Sequence, residues 1–171
     1  AEPGAYLYCG LSRASSKEEI EERIKNNTIT EILNKIEVKK GDVVMVKAGT
    51  IHAIGAGIFI CEIQQNSNCT YRMYDYDRRD KFGNPRELHI AKSLDVVNPV
   101  KYEKDNKCNV MLAHNEHYMS KRLVQCKYFE VIKYEIEDEA KIPVDEASFL
   151  SVIVIDGEGT IMTDDNDKEL K

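Results

Sequence analysis

The feature that most constrains this chain is a series of short β-type runs cut apart by Gly, Asn or polar turns. Residues 43–46, 50–54, 58–64 and 70–76 are rich in β-branched and aromatic side chains, and each ends within a few residues. Runs this short cannot bury a face alone and must assemble into sheets. An alternating run at residues 5–10 reads as a further strand that stops at Gly10. Runs at 127–136 and 149–155 read as strands too, the second turning at Asp156-Gly157-Glu158-Gly159 into residues 160–162. Helical signals are fewer. Ser16 and Glu19 form a capping box ahead of Ile20 and Ile24, and Asn26-Asn27 ends that helix. Residues 28–36 predict a second short helix with Ile29, Ile32, Leu33 and Ile36 on one face. Residues 87–97 predict another, with Leu88, Ala91, Leu94 and Val97 at helical spacing. Many short strands with helical insertions point to a mainly β barrel or sandwich.

Composition narrows the function classes. At 171 residues the chain is long enough to bury roughly 70% of the surface it exposes when unfolded. Its 24 basic and 30 acidic residues give a net charge of -6, which argues against a partner recognised through a phosphate backbone. The longest apolar run, 51–63, is broken by His52 and Glu62 and falls short of the ~20 residues of a membrane helix. With no signal-peptide pattern at its start, the chain reads as cytoplasmic, with neither nucleic acid nor membrane among its partners. The five cysteines, Cys9, Cys61, Cys69, Cys108 and Cys126, are odd in number and widely spaced, unlike a disulfide framework or a paired zinc ribbon. Cys61, inside the apolar run, reads as a buried free thiol.

The chemistry concentrates between Gly41 and Ile54. A strand leads to a tight turn at Gly49, and the returning strand places Thr50, His52 and Ile54 on one face. A His on the inner face of a barrel is either a hydrogen-bonded core residue or a metal ligand. Other candidates read more plainly. His114 and His117 have H-x-x-H spacing in a polar, loop-like setting. His89 reads as a surface or cap residue, Arg72 as a cation paired with Asp75 or Asp77, and Glu62 as facing either a partner or a polar cavity.

The spacing Gly41, Lys47, Gly49, His52 resembles the second motif of the cupin superfamily, G-x5-P-x-G-x2-H, with Lys47 in place of Pro and Ala56 where Asn is frequent. The blocks Ala48 to Gly55, Cys61 to Ser67, Thr70 to Arg78 and Arg86 to His89 occur in the same order as in bacterial class I mannose-6-phosphate isomerases, and the likeness extends over essentially the whole chain. The resemblance implies a cupin-type double-stranded β-helix, a jelly-roll barrel, with helical insertions and the start of a second β lobe. It divides the chain into residues 1–100, the C-terminal part of a catalytic cupin lobe with its helical insert, and 101–171, a linker and the first strands of a second lobe.

By the same resemblance the substrate is a sugar phosphate, the cofactor is one zinc ion with His52 among its ligands, and Arg72 reaches the substrate near the reacting carbons. The family's other ligands, a Gln, a His and a Glu, come from segments ahead of the point where this chain opens. The chain is therefore expected to be part of something longer and inactive alone. Its expected partners are the N-terminal segment it lacks or a second copy, since a barrel missing strands exposes sheet edges. The alternative is a non-catalytic cupin-like module that binds sugar or is purely structural.

Overall fold

A computed structural model describes residues 1–67, 69–104, 109–163 and 168–170. The alternation near the start becomes β1 (Tyr6–Leu11), the middle strand of an antiparallel sheet. Its neighbours are β2 (Leu33–Glu37) and β3 (His52–Ile54), in the order β2-β1-β3. Leu7 lies opposite Ile36 on one side and Ile54 on the other.

Gly10 does not stop β1, as the sequence suggested, but bends it. Tyr8 pairs with Lys35 and Leu11 with Leu33, so two residues of β1 lie across from one residue of β2. An extra residue in left-handed conformation, here Gly10 at φ +69°, is the form of a glycine bulge. The consequence is a change of face. Leu7 and Cys9 pack with Ala5 and Val38, whereas Leu11 joins Ile20, Ile24, Ile29, Ile32, Leu33, Met73 and Val97 in a second apolar cluster. One strand thereby feeds two cores.

Helix α1 (Lys17–Lys25) begins as its sequence signals, with the Ser16 hydroxyl accepting the Glu19 N–H at 3.1 Å. The reciprocal half of the capping box is replaced by an ion-pair network. The Glu19 carboxylate is held by Arg13 and by Arg23, and Arg23 also reaches Glu31. Asn27, at φ +58°, turns the chain out of the helix. Ile20 and Ile24 are buried beneath it.

The helix expected over 28–36 is corrected. Only Ile29–Ile32 form a 3-10 turn, and Leu33 onward becomes β2. A helix of that length is marginal on its own, whereas the free edge of β1 offers a ladder that satisfies the same backbone groups. Helix α2 (Ile90–Val96) starts three residues later than the pattern suggested and ends before Asn98-Pro99.

The structure is mainly β with two small helices, and no closed barrel forms among the described residues. Of the runs that opened this reading, only His52–Ile54 lies in a ladder. Residues 43–46, 58–64, 70–76 and 149–155 carry strand-type sequence without a ladder among the described residues. A pleated strand is stable only against a neighbour, so β-type composition marks a segment that needs a partner. Several of these side chains face solvent, Phe59 at 94% and Phe149 at 88% exposure among them. Cys61, expected to be buried, is exposed as well. Residues 70–76 meet the core through Met73, which is buried, and Tyr74, which packs against the second cluster.

Farther along, β4 (Val110–His114), β5 (Tyr118–Gln125) and β6 (Glu130–Ile136) form an antiparallel meander. Sequence reading anticipated only β6, within 127–136. β7 (Gly159–Ile161) pairs with β8 (Lys168–Leu170) close to the expected turn. Among the described residues no helix is long and apolar enough to cross a membrane.

Two outcomes follow from this packing. A Cβ at position 10 would sit 2.5 Å from Cβ of Tyr102, in a backbone conformation that side chains disfavour. Gly10→Ala should therefore cost about 2–4 kcal/mol, read as a lower urea midpoint at unchanged slope. Arg13 and then Arg23 hold the Glu19 carboxyl near 2, against 4.5 for an ordinary Glu. A depressed carboxylate contributes stability that is present above about pH 4.5 and lost as pH falls toward 2. The melting temperature of Glu19→Gln should lie below that of the parent at pH 7, and the two should converge near pH 2.

Candidate functional site

His52 opens β3, opposite Cys9 of β1, at the end of a turn whose geometry is set by Gly49. Gly49 lies at φ +79°, and a Cβ there would come within 2.6 Å of the Val96 carbonyl oxygen. The Asn98 N–H donates to the Gly49 carbonyl at 2.8 Å, tying the turn to the C-terminal end of α2. His52 is exposed, and its Nδ1 lies 3.1 Å from the Thr50 carbonyl. A carbonyl can only accept, so this contact places a proton on Nδ1, and in the neutral ring Nε2 then keeps its lone pair. In that neutral tautomer Nε2 is the free donor atom, and the other nitrogen orients the ring.

Arg72 belongs to the opposite end of α2. Its backbone N–H donates to Nδ1 of His89 at 3.2 Å, and its carbonyl accepts the His89 N–H at 2.7 Å. One guanidinium nitrogen donates to the Glu87 carbonyl at 3.2 Å. The ion pairing expected for Arg72 does not form. Asp75 is held by Arg86 through both carboxylate oxygens, and Asp77 by Arg79. The Arg86 fork beside it holds the Asp75 carboxyl below the usual carboxylate range. The turn that precedes His52 is thus tied to one end of α2, a helix of 7 residues about 10 Å long, and Arg72 is bonded to the residue ahead of the other end.

The other candidates separate from this region or lose their case. His114 ends β4 and His117 lies in the β4–β5 hairpin, with its Nδ1 3.3 Å from Asp138. Glu62 is exposed. Burial pushes the Cys9 thiol up, the opposite of an activated nucleophile. Cys9, Cys61, Cys69 and Cys126 are free, and Cys108 lies outside the described residues. Sequence reading missed the pairing of Arg72 with His89. Its only trace was that both stand in the blocks that carried the family resemblance.

A zinc centre takes three or more donors. Among the described residues no three His, Cys, Asp or Glu side chains are grouped so as to hold a metal ion. His52 has the right chemistry for one ligand, but these residues do not make a zinc site by themselves.

Known proteins resemble the chain over nearly its full length. It is 39% identical over 150 residues to the mannose-6-phosphate isomerase ManA of Bacillus subtilis, covering 88% of this chain and 47% of that protein. Against the mannose-6-phosphate isomerase of Streptococcus mutans it is 40% identical over 161 residues, covering 94% of this chain and 49% of the other. The crystal structure of the mannose 6-phosphate isomerase from Bacillus subtilis superposes with a TM-score of 0.84 at 34% identity, over 99% of this chain and 53% of that one. This chain is a mannose-6-phosphate isomerase homologue. It spans about half the length of the curated relatives it matches. The family described as "Mannose-6-phosphate isomerase, cupin domain" matches residues 119–171, which include β6 and all but the first residue of β5 of this homologue.

The ring orientation of His52 can be checked directly. Nitrogen-15 NMR of the neutral side chain should report the Nδ1–H tautomer; an Nε2–H tautomer would remove the free lone pair on which the ligand reading depends.

Proposed function

We propose that this chain contributes part of an aldose–ketose isomerase site that interconverts mannose 6-phosphate and fructose 6-phosphate. The observation that carries the reading is the superposition of nearly the whole chain on a solved isomerase at substantial identity. His52 is assigned as one ligand of a single zinc ion, with the remaining donors coming from outside the described residues. Arg72 is assigned as the cation beside the reacting carbons. Moving a proton between adjacent carbons passes through an enediol whose oxygens gain negative charge. A guanidinium already held in place by the Glu87 carbonyl can stabilise that charge with little rearrangement.

Residues 1–100 are assigned to the C-terminal part of a catalytic cupin lobe and 101–171 to a linker and the opening strands of a second lobe. In the assembled jelly roll, residues 43–46, 58–64 and 70–76 would gain the ladder partners that their composition calls for. A second reading, a cupin-like module that binds the sugar phosphate without turning it over, is favoured by one fact: the described residues lack a three-donor cluster.

A chimera in which this chain replaces the matched half of the Bacillus subtilis isomerase tests both. It should form fructose 6-phosphate when zinc is supplied, whereas the chain alone should not. Arg72→Ala in the chimera should lower kcat by about 100- to 1,000-fold, and His52→Ala should reduce zinc retention. A folded chimera that binds mannose 6-phosphate without turnover would support the binding module instead. Turnover by the chain alone at the chimera's rate would overturn the need for outside donors.

A further inference from the structure

We propose that His89 is the positioning residue of Arg72, setting where the guanidinium stands for substrate. This rests on the isomerase reading for its consequence, but the contact itself can be tested without it. His89 is joined to Arg72 by two hydrogen bonds in opposite directions: Arg72 N–H to His89 Nδ1, and His89 N–H to Arg72 carbonyl. The first can form only if Nδ1 is unprotonated, so the proton of the neutral ring is on Nε2. That nitrogen points toward Glu87, with its carboxylate 3.9 Å away. The ring is tilted against Tyr71, centroids 6.2 Å apart, and is mostly shielded from solvent.

The arrangement matters because Arg72 lies in a run with no ladder. Residues 70–76 have no neighbouring strand among the described residues to fix the backbone. On the α2 side, the pair of bonds from His89 does what a strand neighbour would do. The next residue, Met73, is buried in the core. The Arg72 backbone is therefore held by His89 on one side and by Met73 on the other. The guanidinium is then directed by the Glu87 carbonyl, two residues from His89 in the same segment. A single short segment, 87–89, thus fixes both the root and the tip of Arg72. An Ala at 89 removes one of the two bonds and the ring. An Asn keeps a short side-chain acceptor near the position of Nδ1.

Two readouts test this, one on the chain as it is and one on the chimera. In hydrogen-exchange NMR of the chain, the Arg72 amide should be protected, and His89→Ala should speed its exchange by about tenfold, the loss of one hydrogen bond. His89→Asn should return most of the protection. The neutral His89 ring should report the Nε2–H tautomer. In the chimera, His89→Ala should lower kcat by at least tenfold with KM changed less than threefold, and His89→Asn should recover most of that loss. If the Arg72 amide exchanges equally fast in parent and His89→Ala, or if Asn is no better than Ala in both assays at equal melting temperature, the positioning role is overturned. A parent chimera without turnover fails the isomerase reading, while the exchange data still decide the contact.

Discussion

The structure depends on one extra residue in its central strand. β1 is flanked by both neighbours of its sheet, and without the Gly10 bulge its side chains would alternate strictly between two faces. Leu11 would then follow Leu7 and Cys9 into the small cluster around Ala5 and Val38. The bulge sends it instead into the cluster built on α1 and the 3-10 turn. Tyr102 covers the bulge from outside, and its N–H donates to the Leu11 carbonyl. The start of the chain, α1 and the segment after α2 are all secured at this point. The residue has to be glycine because both its conformation and the tyrosine above it exclude a side chain.

From there the candidate site is positioned by main-chain contacts more than by side-chain packing. Gly49 lets the β3 turn approach the end of α2, and His89 ties Arg72 to the beginning of that helix. Helix α2 therefore carries the β3 turn at one end and the Arg72 backbone at the other. Its buried Ser93 fits a helix that must lie close to its surroundings. Two of the carboxylates nearby are paired with other arginines. Asp75 pairs with Arg86 and Asp77 with Arg79, while the Arg72 guanidinium donates to the Glu87 carbonyl.

What the sequence made legible was local. The Ser16 cap, the Asn27 exit and the end of α2 rest on rules that act within a few residues, and they were read nearly to position. That His52 stands on a strand after the Gly49 turn was legible for the same reason, although the barrel interior it was expected to face does not form among the described residues. The strands at 43–46, 58–64 and 70–76 were readable as β-type but not as ladders, because a ladder depends on a remote segment being available. Residues 33–37 went the other way. Their helical spacing was real, but β1 offered a better set of hydrogen bonds. β4 and β5 were missed because His114, Asn115, Lys121 and Arg122 interrupt the alternation, although Ser120 and Val124 are buried in β5. The contact between Arg72 and His89 spans 17 residues, and no local rule encodes it.

The unladdered run 149–155 also bears on how this polypeptide behaves at high concentration. It is Phe-Leu-Ser-Val-Ile-Val-Ile, seven residues without charge, Gly or Pro and with most side chains facing solvent. Segments of that composition stack in register into dry cross-β zippers. Here Glu146 lies just ahead of it and Asp156 and Glu158 just behind. Stacked copies would bring these carboxylates together every 4.8 Å or so, a repulsion that opposes growth while they are ionised. The carboxylates that flank this stretch therefore oppose its self-association, an opposition that weakens in acid or at high salt.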